Sequence, residues 1–174
     1  MVEYHDGELV VRAAPSPAHG RICGSLHASL RVALIGRRCV PLQSVAVRVE
    51  MTRRTLVPDL LVVCGELEPS TLDPNAIVNA VAVVEVLSPS TEDYDLGAKL
   101  HHYRRLPTLK EYVTVAQDRR WISTARRGAG DLWAFDDVFE GHFAVAGIEV
   151  AVDDVYRDEP GVIVEPSPEP MMFR

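Results

Sequence analysis

Two rhythms of apolar and polar positions alternate along this chain, one of period two and one of helical period, and together they predict a mixed α/β order. Residues 4–11 are short alternating runs around Asp6-Gly7, the turn chemistry of a β-hairpin. Ala14-Pro15-Ser16-Pro17 ends that pattern, and Ile22, Leu26, Leu30 and Ala33 then recur at helical spacing. They predict a helix over about 17–35, with Gly36 as its C-terminal cap. Val45, Val47 and Val49 alternate within a strand over 40–49, which Thr52-Arg53-Arg54 turns into an antiparallel partner over 56–63. Residues 64–75 are a loop with two prolines, and Val81–Leu87 is a buried strand closed by Ser88-Pro89-Ser90-Thr91.

A second helix is predicted near 94–106, stopped by Pro107, with an acidic start and a basic end that suit its dipole. Leu96, Leu100 and Tyr103 form its expected inward face. Lys99 stands at the margin of that face, placed to reach the sheet or to be solvated. Further strands are expected at 111–115, 121–125, 131–135 and 148–152. Residues 1–157 thus make one domain, and 158–174 a proline-rich acidic tail, extended or partly disordered.

Two of the predicted core strands spend a position on an acid: Asp59 in the first and Glu85 in the second. Burying an unpaired charge costs several kcal/mol or more, so each needs a cation, a donor or a metal beside it. A strand-end carboxylate reaching solvent or an arginine explains one such residue; two of them point to a shared site.

Composition adjusts this picture in three ways. The chain of 174 residues holds no apolar run of about 18 and no signal-peptide pattern, which points to a soluble, cytoplasmic protein without a membrane partner. Cys23, Cys39 and Cys64 are odd in number and widely spaced, the pattern of reduced thiols rather than of disulfides or a zinc knuckle. The net charge of −7 is concentrated: residues 131–174 carry 2 basic against 11 acidic residues, leaving 16 against 14 in residues 1–130. Charge therefore neither supports nor excludes a nucleic-acid partner. Lys99 and Lys110 are the sole lysines among 18 basic residues. In so arginine-rich a chain a lysine is worth inspecting, because only lysine can lose its proton when buried or beside a metal.

The order helix, antiparallel pair with Pro58-Asp59, strand with Glu85, helix, strand is that of a restriction-endonuclease core. The run Pro58-Asp59-Leu60-Leu61-Val62-Val63, the block Val84-Glu85-Val86-Leu87-Ser88-Pro89-Ser90-Thr91-Glu92-Asp93-Tyr94-Asp95, then Lys99, Tyr103-Arg104 and Glu111-Tyr112, resemble the Uma-two family. Asp6-Gly7-Glu8 and Pro15-Ser16-Pro17-Ala18-His19-Gly20 fit it as well, so the resemblance spans roughly residues 4–156. The family is one of restriction-endonuclease-like proteins within the PD-(D/E)XK nuclease superfamily. The resemblance implies a mixed central sheet flanked by helices, with an N-terminal hairpin and extra C-terminal strands.

It also implies a site. One Mg²⁺ or Mn²⁺ would be held by Asp59, Glu85 and the backbone carbonyl of Val86, for hydrolysis of phosphodiester bonds in DNA by a homodimer. In the wider superfamily a lysine stands two residues after the strand acid, where this chain has Leu87; the family pattern moves it to the following helix, onto Lys99. Lys99 would assist the attacking water. The same pattern implies that His19 faces the site; the other reading is a histidine bonded to backbone in the first helical turn. No Asp or Glu lies between Glu8 and Glu50, so the first helix adds no third carboxylate and a single metal is expected. His101-His102 fit a solvated helix end, Trp121 and Trp133 core or edge packing ahead of base stacking, and Ser88 and Ser90 a turn. No Gly-rich phosphate loop, Ser-His-Asp order or Cys-His pairing stands out. Two other readings stay open: a catalytically inactive binding module on the same fold, and a hydrolase of a small phosphoester.

Overall fold

Apolar alternation at the start of the chain yields the hairpin β1 (Val2–His5) and β2 (Glu8–Val11), paired from Val2↔Val11 to His5↔Glu8. The computed structural model describes residues 2–5, 7–11 and 14–157; Asp6 of the hairpin turn and the tail 158–174 lie outside the described residues. Helix α1 (Pro17–Ala33) begins at Ser16, whose side chain accepts the His19 backbone N–H, and has proline in its first turn. It ends at Leu34, two residues before Gly36 takes a left-handed φ of +78°.

The strand expected over 40–49 is two strands, β3 (Cys39–Gln43) and β4 (Ala46–Val49), and its partner is likewise split into β5 (Arg54–Leu56) and β6 (Leu60–Cys64). β4 pairs with β5 and β3 with β6, but in different sheets. One ribbon therefore bends from sheet to sheet at Ser44, which has a left-handed φ of 52°, opposite Pro58-Asp59. Pro58 lacks an N–H to continue a ladder. Asp59 sits at the bend rather than inside a strand, and its carbonyl accepts the Ser44 N–H at 3.2 Å.

A short strand β7 (Ala76–Ile77), unassigned between the expected loop over 64–75 and the strand from Val81, precedes β8 (Ala80–Leu87). The helix after it, α2, is one continuous stretch over 92–103 whose middle, Asp95–Lys99, is a π-helical turn. β9 (Glu111–Ala116), β10 (Ile122–Arg127), β11 (Trp133–Val138), β12 (His142–Val145), β13 (Ile148–Ala151) and the closing helical turn Val152–Tyr156 follow. The sequence pattern missed β12.

The main sheet runs β11-β10-β9-β8-β6-β3, with β8 and β9 parallel across the α2 crossover; the second runs β2-β1-β5-β4-β7. Side chains alternate across a strand, so each face of the main sheet has its own core. Leu60, Val62, Val84, Val86, Val113 and Val115 pack under α1 and the closing turn. Leu61, Val63, Val83 and Tyr112 pack against Tyr103, Leu106 and Leu109 and against Val47, Val49 and Leu56 of the second sheet. No helix among the described residues is long and apolar enough to cross a membrane.

Two sequence expectations are corrected. Cys39 and Cys64 face each other across β3 and β6 and are joined as a disulfide, leaving Cys23 as the free thiol. Strand register, which spacing alone does not reveal, brings them together. In α2, Leu96 and Leu100 are only half-buried, and the wholly buried residues of that turn are Asp95 and Lys99. The inward face of this helix is charged at Asp95 and Lys99 and apolar at Tyr103, which is wholly buried as expected.

Candidate functional site

The ribbon bend aims Asp59 at β8 and α1 together. One of its carboxylate oxygens, Oδ2, accepts the Val86 N–H at 2.7 Å and lies 3.1 Å from His19 Nε2. The last rung between β6 and β8 is Leu60↔Val84, so Asp59 takes a strand N–H just beyond the ladder's end. Burial pushes the Asp59 carboxyl up. The His19 hydrogen bond and charge, the Val86 N–H and the Lys99 charge outweigh that and hold it below the usual range.

Glu85 and Val86 are successive strand residues and face opposite sides. Val86 lies in the α1 core, whereas Glu85 points to the other layer and is wholly buried. Lys99 Nζ stands 2.8 Å from Glu85 Oε1, 3.4 Å from Asp95 Oδ1 and 3.5 Å from Glu3 Oε1, with Lys99 itself wholly buried. The π turn places Asp95 and Lys99, four apart, on the same inward face, and the Tyr112 hydroxyl donates to the Asp95 carbonyl at 2.7 Å. Glu3, from β1, also accepts the Val57 N–H at 3.0 Å and meets His5 Nε2 at 3.0 Å, which in turn is 3.2 Å from the Tyr94 hydroxyl. Burial pushes the Glu85 carboxyl up to about 8, against the lowering effect of Lys99 and with the help of the Asp59 and Asp95 charges.

The arrangement therefore has two halves. A cavity of about 660 Å³ is walled by Asp59, His19, Val86, Cys23, Ser16 and Gln117, among others. Behind it, outside that wall, lie Glu85, Lys99, Asp95 and Glu3. The charge coupling of Asp59 to Glu85 and Lys99 links the halves.

Each sequence-derived candidate can now be located. Glu85 and Lys99 meet behind the cavity, Asp59 stands in its wall and is joined to them by charge, and His19 is on the Asp59 carboxylate rather than tied to backbone by its ring. Glu3 and Asp95 were missed. The absence of acids from α1 suggested that two carboxylates stand alone, but the added two come from β1 and α2. Asp95 had one signal, its i,i+4 spacing to Lys99; Glu3 had none. A Cys-His pairing was also missed: Cys23 Sγ lies 3.6 Å from His19 Nδ1, one helical turn away. Trp133 packs at an edge under Arg127 and Arg104, and Trp121 under Arg119. Ser88 shares hydroxyl contacts with Ser90 and Thr91 within the turn, and His101 is exposed.

Comparison with known proteins adds four likenesses. A family model named Uma2, described as "Putative restriction endonuclease", matches residues 1–147. Two uncharacterized proteins of Synechocystis sp. are similar: one is 29% identical over 161 residues, covering 89% of this chain and 83% of its own. The other is 25% identical over 139 residues, covering 72% and 78%. The crystal structure of a "putative nuclease belonging to DUF820" from Anabaena variabilis has the same fold, with a TM-score of 0.72 at 13% identity over 90% of this chain and 89% of that one.

Proposed function

The chain belongs to the Uma2 family of restriction-endonuclease-like proteins, and from that premise we propose that it hydrolyses phosphodiester bonds in DNA with the help of one divalent cation, Mg²⁺ or Mn²⁺. The observation that carries this reading is the seating of Asp59 on the Val86 N–H, next in the chain to Glu85, whose carboxyl has a buried lysine 2.8 Å away.

The donor chemistry fits a hard cation. Mg²⁺ takes oxygen ligands, often one or two carboxylates completed by water and substrate phosphate. Asp59, Glu85 and the Val86 carbonyl are such a set. Glu85 Oε2 is buried and receives no hydrogen bond among the described residues. Carboxylates outnumber the lysine in the cluster, and positive charge would offset that excess. When bound, such a cation polarises a scissile phosphate and acidifies a water.

The chain's own residues carry the rest. His19 and the Val86 N–H hold Asp59 ionised and fixed in direction. Lys99 draws the Glu85 carboxyl down against the larger upward push of burial; to Lys99 we also assign the orientation of the attacking water and the balancing of charge that builds on the phosphate. Asp95 and Glu3 brace the Lys99 ammonium. The cavity in front of Asp59 is the place for the substrate backbone.

Cleavage of single-stranded, duplex and branched DNA with Mg²⁺ or Mn²⁺ tests the reading. Native protein should cut at least one of these, and Asp59→Ala and Glu85→Ala, checked for folding by circular dichroism, should not. A folded, metal-loaded preparation that leaves all three intact overturns it. A second reading, a non-catalytic binding module, is favoured by one observation: Glu85 and Lys99 lie wholly buried and outside the cavity wall. Calorimetric titration with Mn²⁺ separates the two, because a vestigial site shows no binding that depends on Asp59.

A further inference from the structure

The cavity wall carries a second set of donors that differs in kind from the oxygen set. His19 and Cys23 are four residues apart on α1 and project together into the cavity. Asp59 reaches them from the ribbon bend. One nitrogen of His19, Sγ of Cys23 and one carboxylate oxygen of Asp59 all lie within 4.8 Å of one another. At present the imidazole bridges the other two, 3.6 Å from the sulfur and 3.1 Å from the carboxylate.

We propose that His19, Cys23 and Asp59 form a site for a borderline-soft divalent cation, zinc being the best match, distinct from the oxygen set of Asp59 and Glu85 and sharing Asp59 with it. Nitrogen, sulfur and carboxylate oxygen are the donors that Zn²⁺ takes, at roughly 2.0–2.3 Å, whereas Mg²⁺ prefers oxygen alone. Three protein donors with a cavity in front leave a fourth, open position for water or a ligand, the layout of an accessible rather than a closed zinc site. Two of the three donors ride on one rigid helix, so a short rotation of the imidazole is the main adjustment. Burial and the Asp59 and Glu85 charges push the free Cys23 thiol up, so it stays protonated without metal. A bound cation reverses that balance, since a coordinating thiol is deprotonated outright. The proton leaves to solvent as the sulfur–metal bond forms. The site stands whether or not the protein cleaves DNA.

Because Cys39 and Cys64 are bonded to each other, Cys23 is the one thiol able to ligate a metal in the oxidised protein. Titration with Co²⁺, a spectroscopic stand-in for Zn²⁺, therefore needs no variant to locate the sulfur. We expect an intense near-ultraviolet sulfur-to-cobalt band that saturates at one equivalent, is displaced by Zn²⁺ and is untouched by excess Mg²⁺. Cys23→Ser and Cys23→Ala should abolish the band and weaken Zn²⁺ binding at least ~10-fold, and Asp59→Asn should weaken it with the thiol in place. Co²⁺ binding to the native protein without that band, or no Co²⁺ binding at all, overturns the proposal. So do cysteine variants that melt like native protein and bind Zn²⁺ as tightly.

Discussion

Lys99 Nζ lies 2.8 Å from Glu85 Oε1, and neither side chain exposes any surface. Desolvating such a pair costs several kcal/mol per ion, which the attraction offsets only with good geometry and further partners. Here Asp95 and Glu3 supply the further partners at 3.4 and 3.5 Å. The cluster is thus a weak source of stability and a strict constraint on shape: it ties β1, β8 and α2 to one point.

Removing one member should therefore be costly. Above about pH 8, where Glu85 is ionised in the fold, Lys99→Met leaves it buried without its cation, and about 3–5 kcal/mol of stability should be lost. Adding Glu85→Gln should restore part of that, because the two losses describe one interaction and do not add. Urea midpoints for the native protein, both single variants and the double variant check this. Additive losses would show that the pair is not coupled.

The pH dependence of stability follows from Glu85. Its carboxyl has an ordinary value of 4.5 in the unfolded chain and is pushed up to about 8 in the fold, mainly by burial. Between those values the folded state binds the proton and the unfolded state does not, so stability falls as pH rises. The contribution is fully favourable below about 4.5 and is lost by the time pH passes about 8. Thermal melts of native protein and Glu85→Gln across this range should diverge, with the variant flatter. Parallel curves would mean that Glu85 is already ionised in the fold.

Asp59 and Glu85 were legible in the sequence because an acid in an apolar strand violates the pattern around it, and such violations mark sites. Lys99 was legible by rarity, although its direction was not: apolar spacing assigned the inward face to Leu96 and Leu100, whereas the π turn and the carboxylates opposite drew Asp95 and Lys99 inside. Tertiary charge pairing overrode helical periodicity. The split of residues 40–49 into two strands turns on the left-handed φ of Ser44, a conformation without a sequence signal at a serine. Glu3 looked like an ordinary polar position in a hairpin, since nothing local shows that a lysine 96 positions later will meet it. The Cys39–Cys64 bond depends on register, which is set by the ribbon as a whole.

His19 touches the chemistry only through Asp59, so His19→Ala should weaken cleavage without abolishing it, by roughly 10–100-fold. Its loss also removes the largest influence lowering the Asp59 carboxyl, leaving only the Val86 N–H and the Lys99 charge against the upward push of burial. If cleavage needs Asp59 ionised, the acidic limb of the pH–rate profile should move to higher pH in the variant. An unshifted limb with reduced rate would assign His19 to substrate contact and leave Asp59 to other partners.

The disulfide gives a prediction that bears on the fold rather than the site. Cys39 and Cys64 are 25 residues apart in sequence, and they close a loop containing β3, β4, β5 and the ribbon bend that presents Asp59. In the chain-entropy account a cross-link of that span stabilises by roughly 3 kcal/mol, chiefly by restricting the unfolded chain. Reduction, or Cys39→Ser with Cys64→Ser, should lower the urea midpoint accordingly and, because the released unfolded chain exposes more surface, steepen the transition. Thiol titration of denatured protein should find one free thiol before reduction and three after. Because both cysteines sit at the far end of β3 and β6 from Asp59, the reduced protein should keep its metal binding at temperatures where it remains folded. A loss of metal binding on reduction, without unfolding, would instead show that the cross-link holds the bend itself in shape.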